Sequence, residues 1–98
     1  MIEEVAELRI IPGQQQAFEV AVHEGVTNVI AKAQGFLGYS VSRGIEKPER
    51  YILRIQWETL EDHIVGFRES ELFQQWRSIV SPFFTTAPFV EHVVLTQK

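Results

Sequence analysis

The sequence predicts an α+β domain of ferredoxin-like βαββαβ order: a four-stranded antiparallel sheet with two helices on one face. Three observations carry this. β-rich runs lie at both ends and in the middle of the 98 residues, and two stretches between them hold apolar residues at helical spacing. Turn residues punctuate the joints, at Pro12-Gly13, at Gly35 and at the EKPE of residues 46–49. A chain of this length supports one core, so residues 1–98 form a single domain.

Residues 2–11 alternate as a strand and stop at Pro12-Gly13. A first helix then places Ala17, Phe18, Ala21, Val22, Val26, Val29, Ile30 and Ala33 on one side. Glu19, His23, Thr27, Asn28 and Lys32 lie opposite, and Gly35 is the stop. Residues 36–44 and 50–57 read as strands around EKPE, the second with Tyr51, Leu53, Ile55 and Trp57 on one face and Ile52, Arg54 and Gln56 on the other. Thr59 is an N-cap for a second helix whose Leu60, His63, Ile64 and Phe67 share a side. Ser70 re-caps the chain for a turn bearing Leu72, Phe73, Trp76, Ile79 and Val80. Pro82 and Pro88 bracket a loop before a last strand over 89–96.

Composition narrows the function. There is no cysteine, so no disulfide, thiolate metal site or cysteine nucleophile, which fits a reducing, cytoplasmic setting. The net charge of −4, without a basic cluster, removes the electrostatic basis for binding nucleic acid. No apolar run is long enough for a membrane span, and the acidic MIEEVAELRI start does not resemble a secretory signal. The outer sheet face mixes Val5, Ile11 and Ile52 with Glu7, Arg9, Arg54 and Gln56, too apolar for water and too charged for a core. It predicts a two-fold homodimer whose charges pair across the interface, against the plainer reading of a monomer with an amphipathic face.

The face between sheet and helices gathers Tyr39, Tyr51, Trp57, His63, Phe67 and Trp76. Each ring alone is ordinary core filling; around a histidine they resemble the lining of an apolar pocket. His63 is the candidate base, since imidazole titrates near neutrality. If Glu91 turns outward, alternation turns His92 inward toward it. His23 falls on the polar side of its helix and reads as a surface residue. Two histidines without a third ligand do not make a metal site, and no phosphate loop or nucleophile elbow is present. Glu3, Glu4 and Glu7 read as edge or interface charges.

The stretch YILRIQWETLEDHIVGFRESELFQQWRSIV followed by PFVEHVV resembles the antibiotic biosynthesis monooxygenase family, through a Trp ending the third strand, a His six residues later, FRES and a Trp-Arg pair. The resemblance implies a dimeric α+β barrel with a pocket in each subunit. It also implies, in some relatives, oxygenation of phenolic polyketides or hydroquinones without metal or flavin. Of the pocket residues of that branch, the Trp matches Trp57, the Asn position falls on Leu53, the Tyr position on His63, and a pocket arginine on Arg77. The Asn, Trp and His of the haem-degrading branch fall near Ala6, Phe67 and Arg77, none of them kept. The expected activity is therefore cofactor-independent oxygenation of a small electron-rich aromatic, hydroquinone- or anthrone-like, by dioxygen. In that reading His63 is the base, His92 orients it, and Trp57, Tyr51, Tyr39, Phe67, Trp76, Leu53 and Arg77 bind the ring. A non-catalytic ligand-binding dimer and an isomerase of a small carbonyl compound are the alternatives.

Overall fold

A computed structural model describes residues 1–96. Strand β1 spans Ile2–Arg9, helix α1 Gln15–Asn28, β2 Phe36–Arg43 and β3 Arg50–Trp57. A π-helical turn then covers Asp62–Phe67, followed by helix α2 over Glu71–Val80 and strand β4 over Phe89–Val94. The strands lie in the order β2-β3-β1-β4, all neighbours antiparallel. This is the βαββαβ topology read from the sequence, with β1 and β3 central.

Alternation decides what each central strand buries. Ala6 and Leu8 of β1, Ile10 just beyond it, and Tyr51, Leu53, Ile55 and Trp57 of β3 all face the helices and are buried. Phe18, Val22 and Val26 of α1 close over them. Gly25 lets the two helices approach: a Cβ there would lie 2.8 Å from the Trp76 ring. No helix among the described residues is long and apolar enough to cross a membrane.

Three elements differ from the sequence reading. First, α1 does not run through to Ala33. It ends at Asn28, Val29 leaves helical geometry, and a 3-10 turn covers Ile30–Lys32. The break turns two consecutive β-branched residues, Val29 and Ile30, into the core together. Second, the helix capped by Thr59, whose Oγ1 accepts from the Asp62 N–H at 3.1 Å, widens into a π-turn. Its signature is the Arg68 N–H donating to the His63 carbonyl at 3.0 Å, five residues back. Third, the outer-face charges already find partners within the chain. Arg54 and Gln56 both donate to Glu3, at 3.1 and 2.6 Å, and Arg9 and Arg50 flank Glu7. Such exposed pairs contribute little stability. They neutralise the face while leaving Phe89 and Val93 largely exposed.

Gly35 holds the joint between α1 and β2 at φ +88°, and its carbonyl accepts from the Glu58 N–H at 2.8 Å. A Cβ there would run into the Asp62 side chain of the neighbouring π-turn, and the left-handed backbone itself favours glycine. Gly35→Ala is expected to destabilise the fold by about 2 kcal/mol or more, read as a lower urea midpoint at unchanged m-value.

Candidate functional site

The site begins with an acid in the wrong place. The alternation that sends Val5, Glu7 and Arg9 outward sends Glu4 inward with Ala6 and Leu8, and its side chain is only 9% exposed. Glu4 is thus a correction to its reading as an edge charge. Burying a carboxylate is costly unless it is partnered, and Glu4 has two partners. Trp57, at the end of β3, donates its Nε1–H to Glu4 Oε1 at 3.1 Å. His63 Nε2 stands 3.2 Å from the same oxygen. Behind it, His63 Nδ1 and His92 Nε2 share a hydrogen bond of 2.8 Å. β4 pairs Glu4 with His92 directly across the ladder, while Glu91 falls opposite Val5 on the outer face.

The polar atoms therefore form a line, Glu4–His63–His92, running from the interior toward a sheet edge. Among the described residues no three ligand side chains converge as a metal site would need. The Trp57 indole stacks on the His63 ring at 5.3 Å and 18°, and Phe67 lies nearly parallel to that ring at 6.1 Å. The π-turn makes this possible by keeping His63 and Phe67 both buried against the sheet.

Burial dominates the electrostatics. It lifts the Glu4 carboxyl to about 7, with the Trp57 hydrogen bond and the Arg68 charge pulling weakly the other way. It drops His63 to about 4, helped by the charges of Arg68 and His92. His92 is lowered by the same burial, then by Arg68. These opposite shifts favour neutral groups on both sides of the 3.2 Å contact, so we read it as a pair sharing a proton and not as a standing ion pair.

Glu4 and His63 open onto a cavity of about 450 Å³ between the sheet and α2. Its apolar wall includes Leu53, Phe67, Trp76 and Val90. Arg68 and Arg77 also line it, the latter with its guanidinium 5.9 Å over the Phe73 ring. Neither arginine has a carboxylate within ion-pair distance among the described residues. Trp57 and His92 support the site from behind Glu4 and His63. The structure thus brings together His63, His92, Trp57, Phe67, Trp76, Leu53 and Arg77.

It does not bring Tyr39 and Tyr51 to them. Tyr51 shares a face with Trp57 but lies six residues back, about 20 Å along the strand. There its hydroxyl donates to Glu19 Oε2 at 2.6 Å, and burial with this bond lifts the phenol to about 12. Glu19 also accepts from Arg43 at 2.8 Å, and Tyr39 pairs with His23 Nδ1 at 2.8 Å. Glu19, His23, Arg43 and Tyr51 border a separate, more open cleft beside β2. Sequence reasoning missed Glu4 and Arg68; for Glu4 the signal was present in the β1 alternation.

A family model described as antibiotic biosynthesis monooxygenase matches residues 1–78. The uncharacterised protein YczJ of Bacillus subtilis (strain 168) is 39% identical over 92 residues, covering 94% of this chain and 96% of that one. A crystal structure from Bordetella bronchiseptica, named for the same family, superposes with a TM-score of 0.92 at 36% identity, covering 98% of this chain and 97% of that one. SnoaB, a cofactor-independent oxygenase from Streptomyces nogalater solved as a point mutant, is similar in fold. Its TM-score is 0.82 at 13% identity, with 99% of this chain and 94% of that one covered.

The lifted carboxyl has a stability consequence of definite sign. A group whose folded pKa exceeds its unfolded value stabilises at low pH, and that contribution is lost as pH rises through the folded value. Glu4 goes from 4.5 to about 7. Between pH 5 and 8 the wild type is therefore expected to lose on the order of 3 kcal/mol relative to Glu4→Gln. Paired urea titrations across that range check it; a pH-independent difference would contradict a buried, titrating carboxyl.

Proposed function

The chain belongs to the antibiotic biosynthesis monooxygenase family, and from that premise we propose that it is a cytoplasmic, cofactor-independent monooxygenase of a small electron-rich aromatic, anthrone- or hydroquinone-like. The observation that carries this is the cavity of about 450 Å³ with an acid–base pair, Glu4 and His63, in one wall and aromatic or aliphatic side chains over the rest. Its volume suits one small ring system.

The chemistry needs little from the protein. For a methylene held between aromatic rings, the acid–base centre removes one proton and leaves a delocalised anion. The anion passes an electron to dioxygen, and the two radicals join through a C–O bond as a peroxide anion. Return of the first proton, then loss of the second C–H proton, breaks the O–O bond to leave a carbonyl and, with that proton, water. Both oxygen atoms and all four electrons are accounted for. The chain's own residues supply a base, a dry wall in Leu53, Phe67 and Trp76, and positive charge from Arg68 and Arg77 for the anion. His92 holds His63 through Nδ1, and Trp57 backs both groups.

Two copies are proposed to pair through their open sheet faces. Exposed Phe89 and Val93, with the intrachain-neutralised Glu3 and Glu7 rows, support that surface as the contact. Oxygen-electrode traces with anthrones and hydroquinones test the activity: uptake of one dioxygen per anthrone is expected. Ala6→Phe, which projects into the cavity, should cut the rate by about tenfold or more by displacing the ring. Tyr39→Phe, outside the cavity and paired with His23, should leave it unchanged. Proton exchange into a carbonyl compound without uptake would instead favour an isomerase, and binding with neither would favour a ligand-binding dimer.

A further inference from the structure

We propose that Glu4, through its Oε2, is the group that takes the proton from the substrate, and that His63 and His92 act as positioning residues behind it. The inference rests on the cavity being the substrate site.

The geometry separates the two candidates. Each ring nitrogen of His63 already has a protein neighbour, His92 Nε2 at 2.8 Å on Nδ1 and Glu4 Oε1 at 3.2 Å on Nε2. On the carboxylate, Trp57 and His63 both address Oε1. Oε2 has no hydrogen-bond partner among the described residues, and no fully buried polar side-chain atom there lacks one. It therefore keeps an open face, and the opening beside Glu4 is the cavity. One oxygen is clamped and its twin is free, which fixes the carboxylate while leaving a lone pair for a ligand.

The surroundings agree. The groups facing Glu4 are the Trp57 indole N–H from β3, His63 and Arg68 from the π-turn and the residue after it, and His92 from β4. Arg77 stands on the cavity wall contributed by α2. None is an anion. Burial brings the carboxyl to about 7 and the imidazole to about 4, so near neutral pH the carboxylate is much the stronger base. The proton balance is simple: the substrate O–H or C–H bond breaks, its electron pair stays on the substrate, and a new O–H bond forms at Oε2. Trp57 and His63 hold Oε1 while the charge on the carboxylate disappears, and the anion forms beside Arg68 and Arg77.

The test uses the purified protein, anaerobically, with dithranol as the anthrone and its anion read by visible absorbance. Wild type should show the anion band on binding, rising with pH around neutrality. Glu4→Gln, which keeps an oxygen for Trp57, should lose the band while dithranol still quenches tryptophan fluorescence. Glu4→Ala should lose it and recover it with added formate. His63→Gln should retain the band with a displaced pH midpoint, as a positioning residue requires. Absence of the band in wild type, its persistence in both Glu4 variants, or its loss in His63→Gln alone would overturn the assignment. Admitting oxygen afterwards reads the other question separately. An anion that consumes no oxygen sinks the oxygenase reading and leaves Glu4 as the acceptor. Uptake that survives both Glu4 variants sinks the acceptor and leaves the oxygenase.

Discussion

A carboxylate placed beneath the helices, clamped on one oxygen by an indole and an imidazole, is the constraint from which the arrangement of the site follows. Burying Glu4 without partners would carry a penalty of several kcal/mol, comparable with much of the stability of a domain this size. Each neighbouring element answers part of that requirement. β3 ends on Trp57, so that an N–H reaches Oε1. The π-turn brings His63 within 3.2 Å of it, and Arg68, just beyond that turn, supplies positive charge. β4 places His92 across the ladder from Glu4, where it holds the far side of the imidazole. Neutralising the carboxyl by a raised pKa is the remaining part.

The strand order makes those answers possible. With β1 between β3 and β4, one residue on its buried face can be approached from both sides as well as from the helices above. At the edge of the sheet it could not. The same order separates the two polar clusters: the Glu4 group gathers at the Trp57 end of β3, and the Glu19–Tyr51–Arg43 group at the Tyr51 end, beside β2. Phe18 packs on the Tyr51 ring and on Phe83 at that second end of the core.

How much of this the sequence could reveal depends on the kind of information each feature needs. Element order was legible because Pro12-Gly13, Gly35 and the EKPE turn are local signals, and so was the buried face of β3, because alternation is local too. Residue type misled at Glu4: the pattern placed it inward, but an acid among Glu3, Glu4 and Glu7 suggested surface. Its partner Trp57 lies more than fifty positions away, and only such distant contacts make an inward acid tolerable. The π-turn was invisible for a different reason. Six residues are too few to distinguish its periodicity from that of an α-helix. Tyr39 and Tyr51 were grouped with His63 by shared face alone, since facing is set by alternation while position along the strand is set by register.

A domain of 98 residues has a modest core and little stability to spare. An apolar side chain of similar size in place of Glu4 would remove a titrating group from the interior and extend the apolar wall of the cavity. Buried ionisable groups commonly stabilise less than well-packed apolar replacements do. Stability alone therefore gives no reason for a carboxyl at this position. The unused oxygen bears on this most directly. A carboxylate present only to satisfy Trp57 and His63 would be served best with both oxygens bonded, yet both partners address Oε1, and Glu4 lines the cavity. Such asymmetry makes physical sense where the open oxygen has a ligand to meet, in a cavity walled to keep water from competing for it.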